Sequence, residues 1–170
     1  GRHGALRRSG AVQGTRGGSV RHWPERKLTA ADGLGSGVAG SARHRERVLV
    51  ATLLNHPTIL TDVLETVAMV RFQTPELDKL CMRIIEIAGK GDMLARDTLR
   101  DQLNQSDDTV AADSLTGPGS GLVEQFVRPD ASQEEALAGW YDTLALHRRG
   151  DLDAERDQAA RRLAEEGTEA

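Results

Sequence analysis

A helix with almost no polar side has to be covered from every direction, and residues 45–60 of this sequence specify one. Val48, Leu49, Thr52 and Leu53 recur at helical spacing, and Val50, Ala51 and Leu54 widen the apolar face until little of it is polar. Pro57 disfavours the α conformation at His56 and suits the first turn of a second helix, so a sharp corner is expected at Asn55-His56-Pro57. His56 is read as a corner residue capping the carbonyls of the first helix.

The cover has to come from the residues C-terminal to this corner. A second helix is expected from Pro57 to Ala68, with Ile59, Leu60, Val63, Leu64 and Val67 on one face and Asp62 and Glu65 on the other. Thr74-Pro75 is a cap and first-turn proline opening a third helix, with the stripe Leu77, Leu80, Cys81, Ile84, Ile85 and Ala88; Gly89 and Gly91 end it. A weaker helix is expected at about Leu94 to Gln105, a short one over Val110 to Leu115, and a further apolar turn at Leu122 to Val127. Ser132-Gln133-Glu134-Glu135 is a capping box that opens the longest helix. Its stripe runs through Leu137, Trp140, Tyr141, Leu144 and His147 or Arg148. Beyond Leu146 only Leu152, Ala159 and Leu163 interrupt a run of Arg, Asp and Glu, so that half is expected to project into solvent or to await a partner.

Aromatic residues are only 3% of the chain, so its core has to be built from Leu, Val, Ile and Ala, which favours helix on helix. The expected fold class is all-α, a small helical bundle over 45–130 followed by a long helix over 131–170. Residues 1–44 are rich in Gly, Arg, Ser and Ala. Gly33, Gly35, Gly37 and Gly40 punctuate them too often for a helix, and a disordered basic linker is expected. Trp23-Pro24 is either a chance aromatic there or a short docking or base-stacking contact between Arg21 and Arg26.

Residues 1–47 hold ten Lys/Arg against Glu25, Asp32 and Glu46, a balance of +7; with −4 for the whole chain, the remainder carries −11. A cationic arm thus precedes an acidic globule. Arg7, Arg8, Arg16, Arg21 and Arg26 are candidates for weak, salt-sensitive contact with DNA or RNA. No apolar run approaches the roughly 20 residues that span a bilayer, and the basic N-terminus has no apolar stretch behind it, against a secretory signal. Cys81 is the one cysteine, which leaves no internal disulfide or cysteine-cluster zinc site and fits a reducing cytosol; on the apolar stripe it reads as a core residue rather than a nucleophile. The five histidines lack metal-ligand spacing, and the glycine run 117–121 lacks the Lys-Ser/Thr of a phosphate-binding loop. No set of residues reads as catalytic. The residues by themselves describe a helical interaction module on a basic tether.

The order Arg45-Glu46-x-x-Leu49-x-x-x-Leu53-Leu54-Asn55-His56-Pro57, an aliphatic helix, then Phe72-x-x-Pro75-Glu76-Leu77-x-x-Leu80 resembles the C-terminal, helicase-binding domain of bacterial DNA primase. Phe126-Val127-Arg128-Pro129, Gly139-Trp140 and Leu144-Ala145-Leu146-His147-Arg148-Arg149 look like the alphaproteobacterial form of it. The likeness covers about residues 45–170. It implies a helical bundle and a helical hairpin, of which the last helix is one arm and the second arm would follow Ala170. The hairpin would dock on the N-terminal domains of the hexameric replicative DNA helicase in a bacterial cytoplasm, tethering primer synthesis to the fork. It also implies no catalysis and no cofactor in this chain, since the zinc and magnesium of the family belong to a zinc-binding domain and a polymerase core without counterparts here. By the same resemblance Trp140, Tyr141, Leu144, Arg148, Arg149, Leu152 and Arg156 are the helicase-docking candidates; Trp140, Tyr141 and Leu144 read first as bundle core, and Arg148, Arg149 and Arg156 equally as plain solvated residues. Rival readings are a nucleic-acid-binding helical domain led by the basic arm, the related N-terminal domain of the helicase itself, and an independent enzyme.

Overall fold

The computed structural model describes residues 33–91 and 95–167, with side chains from residue 40 onward. Among these residues the protein is all-α. Its helices are α1 (Gly33–Asn55), α2 (Leu60–Ala68), α3 (Pro75–Gly89), α4 (Arg96–Asn104), α5 (Thr109–Thr116) and α6 (Gln133–Glu166), with 3-10 turns at Pro57–Ile59 and Gln125–Val127. The starts of α3 and α6, the glycine loop after α5 and the long last helix fall where the sequence puts them.

The inner half of α1 is the axis of the bundle. Every residue from Val48 to Pro57 is buried, and Leu49, Val50, Ala51 and Leu53 have no accessible surface. Helices α3, α4, α5 and α6 pack directly on it, and α2 packs on α3 and the Pro57 turn. Burying a leucine this completely contributes about 2–3 kcal/mol, so Leu49 and Leu53 alone offset the ordering of several residues. Around them lie Leu60, Val63 and Val67 of α2, Leu77, Leu80, Cys81, Ile84 and Ile87 of α3, Leu99 and Leu103 of α4, and Ala112 and Leu115 of α5. Cys81 is inside, as its stripe position predicts: burial first, and then the nearby Asp78 charge, push its thiol up to about 12, so it stays neutral and unreactive.

Three expectations need correction. First, α1 begins at Gly33, so residues 33–44 continue the helix instead of forming a linker. The buried half of α1 supplies the costly nucleus. Further turns then need only propagation, which glycines weaken by about 1 kcal/mol each without abolishing it. Second, the Thr74 side chain makes no cap bond at the start of α3. The Glu46 carboxylate instead holds the corner just before the helix, accepting from the backbone N–H groups of Gln73 and Thr74. Third, the His56 ring does not cap its own helix; it reaches across to the segment before α6. Residues 1–32, with Trp23 and the arginines proposed for nucleic acid, lie outside the described residues, as do residues 92–94 and 168–170.

No described helix is long and apolar enough to cross a membrane.

Candidate docking surface

The surface the sequence points to is carried by α6, and the bundle controls how α6 leaves it. The capping box forms as written: Glu135 N–H donates to the Ser132 hydroxyl oxygen at 3.2 Å, and Ser132 N–H donates to the Glu135 carboxylate at 2.9 Å. The bonds from the Ser132 backbone and hydroxyl hold the Glu135 carboxyl below the usual carboxylate range. A carboxylate in the first turn also complements the positive end of the helix. From this start α6 runs 34 residues, about 50 Å at 1.5 Å per residue.

Two contacts fix its path. The Phe126 ring lies against Gly139, where a Cβ would overlap it, so the Gly139-Trp140 pair gives both close approach and anchor. Phe126 is itself placed by the corner after α1. The Asn55 amide donates to the Val127 carbonyl at 2.7 Å, and His56 Nε2 donates to the Arg128 carbonyl at 2.8 Å. The corner residues therefore act as a clasp on the strap that delivers α6. Farther along, Arg45 of α1 packs over Gly150, 2.7 Å from where a Cβ would stand.

Between these points α6 is seated. Ala136, Trp140, Leu144 and His147 are buried, Trp140 at 1% exposure. His147 Nε2 donates to the Arg71 carbonyl at 3.1 Å, and its ring stacks on Phe72 with centroids 6.3 Å apart. Burial leaves His147 Nδ1 and the Trp140 indole N–H without hydrogen-bond partners. An unpaired buried polar atom costs about 1–3 kcal/mol, which Trp140 offsets by the area it buries.

The seven residues proposed for helicase docking therefore divide. Trp140 and Leu144 are in the core; they seat the helix and offer no surface. Tyr141 is 43% exposed, its ring edge-on to Trp140 with centroids 5.4 Å apart. Arg148, Arg149, Leu152 and Arg156 are exposed, Leu152 to 66%. After Asp151 only Ala154 is even half-buried, so the last 15 residues of α6 stand clear of the described bundle for about 20 Å. Arg156 lies near Asp153 and Asp157 of its own helix, at 3.7 and 3.8 Å. Beside the seated half, an open groove of mixed character runs between α1 and α6, lined by Val48, Phe126, Thr143 and Leu146 and edged by the His44–Glu124 pair.

Glu46 is the residue whose role sequence reasoning missed. Glu46 is fully buried, and the signal was present: a carboxylate on the core side of an apolar helix needs donors from another element. Of the two residues that could continue the stripe one turn beyond Leu144, His147 is buried and Arg148 is exposed. Among the described residues, no three or more His, Cys, Asp and Glu side chains are grouped to hold a metal ion. Comparison of the chain with models of protein families, with curated proteins and with solved structures gave no match.

Proposed function

We propose that this chain is a helicase-binding domain of a bacterial replicative DNA primase, and that it acts by docking the exposed side of α6, from Tyr141 into the projecting half, on the hexameric replicative helicase. One observation carries the reading. The scattered pieces of sequence that resemble this family touch one another: Asn55 and His56 hold Val127 and Arg128, Phe126 fits Gly139, Glu46 caps the Phe72–Pro75 corner, and Phe72 stacks on His147. Residues that independently resemble one family and also form one contact frame are expected of that domain. They are not expected of an arbitrary helical bundle.

The chain's part in this reading is mechanical. The bundle is the base, the clasp aims α6 away from it, and Tyr141, Arg148, Arg149, Leu152 and Arg156 are presented along the exposed side of that helix. Cationic side chains flanking leucine suit a partner surface that is acidic around an apolar groove. Primer synthesis would belong to other domains of the protein.

Calorimetric titration of the whole chain into purified replicative helicase tests this. Saturable binding, lost in an Arg148→Glu/Arg149→Glu variant with unchanged circular dichroism, is the expected result. Absence of binding, together with DNA binding that falls steeply with salt, would replace the reading with the nucleic-acid module led by the basic arm.

A further inference from the structure

Helix α6 is locally weakest where the bundle lets go of it. His147 is its last buried residue, and among the described residues beyond Asp151 only Ala154 is half-buried. That boundary falls on Gly150-Asp151-Leu152-Asp153, where the one glycine between Gly139 and Gly167 stands beside two aspartates, all three poor helix formers. Two side chains from outside α6 converge on the same point. Arg45 of α1 lies over Gly150, its guanidinium 2.7 Å from where a Cβ would stand, so the glycine leaves the room that the arginine fills. Arg45 Nε is buried without a hydrogen-bond partner, so packing seats this side chain. Gln73, in the corner before α3, donates from its side-chain amide to the Asp151 carboxylate at 3.2 Å, in an exposed bond.

We propose that Gly150 is a hinge in α6 and that Arg45 and Gln73 latch it. Latched, the arm leaves the bundle at the one angle the structure shows. Unlatched, residues 151–166 swing about Gly150 as a straight piece, which its alanines and leucines and the approach of Arg156 to Asp153 and Asp157 keep helical. Both latch contacts are weak, one the packing of an arginine tip and the other an exposed hydrogen bond, so little is needed to open them. The hinge does not rest on the helicase reading. Where that reading holds, Tyr141, Arg148 and Arg149 lie before the pivot and Leu152 and Arg156 after it, so a partner that grips both sets selects one angle of the arm.

Distances between paired spin labels on the whole chain read the angle without any partner, and the buried native Cys81 stays unlabelled. Labels at Glu65→Cys, exposed on α2, and at Leu163→Cys on the arm span the hinge; labels at Glu65→Cys and Ala145→Cys span only the seated part. A bend of about 30° at Gly150 carries Leu163, about 20 Å farther along, through about 10 Å. The distance between positions 65 and 163 is expected to be narrowly distributed in the otherwise native chain and to spread over several ångströms in Arg45→Ala/Gln73→Ala. Adding Gly150→Ala to that variant should narrow it again. The distance between positions 65 and 145 should stay the same throughout, which shows the bundle and the seated half intact. A double variant whose distribution matches the native one, narrow or wide, would overturn the proposal. So would a spread that Gly150→Ala leaves unchanged, or one shared by positions 65 and 145, because the pivot would then lie elsewhere.

Discussion

Helices α1 and α6 each divide into a seated half and an outlying half, and the two outlying halves are built differently. In α1 the residues before Arg45 include Gly33, Gly35, Gly37 and Gly40. In α6 the residues after Gly150 contain no glycine before Gly167 and consist mainly of Ala, Arg, Asp, Glu and Leu. Ala, Arg, Glu and Leu are among the good helix formers, and Arg156 with Asp153 adds a one-turn ion pair. Where the outlying half of α1 meets the bundle, side chains tie it to the strap before α6: His44 to Glu124 at 2.6 Å, and Arg47 just beyond to the Ser120 carbonyl. A helix extended from a packed nucleus can thus persist either by its own propensity or by side-chain ties. The first suits an arm that must stay straight without neighbours.

The contrast between seated and outlying residues breaks most visibly at Trp140. Trp140→Ala is expected to cost about 3–5 kcal/mol in urea unfolding, the range for removing a buried aromatic. Leu163→Ala, far along the same helix and 70% exposed, should change stability by less than about 0.5 kcal/mol. A similar cost for both would mean that the arm is packed on something. Glu46→Ala comes next, at about 1–3 kcal/mol, because it leaves two backbone donors at the Phe72–Pro75 corner without their carboxylate. Hydrogen exchange should show the amides at the start of α3 losing protection first.

One substitution made at two glycines of α6 separates the halves by sign. Gly139→Ala puts a methyl group into the Phe126 ring, and the ring is held by the clasp behind it, so a loss of about 1–3 kcal/mol is expected despite the better helix propensity. At Gly150 the new methyl meets only the tip of the Arg45 side chain, which can swing aside. Gly150→Ala should therefore be neutral or stabilising, by up to about 1 kcal/mol. Thermal melts of the two variants check this, and losses of equal size would show that Arg45 is as fixed as Phe126.

Much of this organisation is legible in the sequence where the cause is local. The Ser132–Glu135 capping box, the stripe of α3 and the break at Pro57 each depend on residues within a few positions, and each appears where its pattern puts it. What was not legible depends on partners far along the chain. Glu46 finds its donors 27 and 28 residues away, and His56 finds its acceptor 72 residues away. Trp140 and Tyr141 are adjacent in sequence and so about 100° apart round the helix, and periodicity alone could not say which would face the core. The helical start at Gly33 was hidden for the same reason, since glycine content measures local propensity and not the nucleus or ties that override it.

A small expected effect tests those ties. Burial pushes the Glu124 carboxyl up, but the hydrogen bond and charge of His44, with its own backbone N–H and that of Val123, outweigh it and hold the group below its ordinary value of 4.5. A carboxylate depressed in the folded state adds stability above about pH 4.5, and that contribution is lost as pH falls through the lower folded value. Glu124 is only half-buried, so solvent screening keeps the contribution under about 1 kcal/mol. Glu124→Gln should lower the melting temperature slightly at neutral pH, and the difference should close once the medium is acid enough to protonate the native carboxylate. Added salt should narrow it too. Parallel melting curves for the two proteins across that range would show that His44–Glu124 contributes nothing. The outlying half of α1 would then stand, like that of α6, on helix propagation alone.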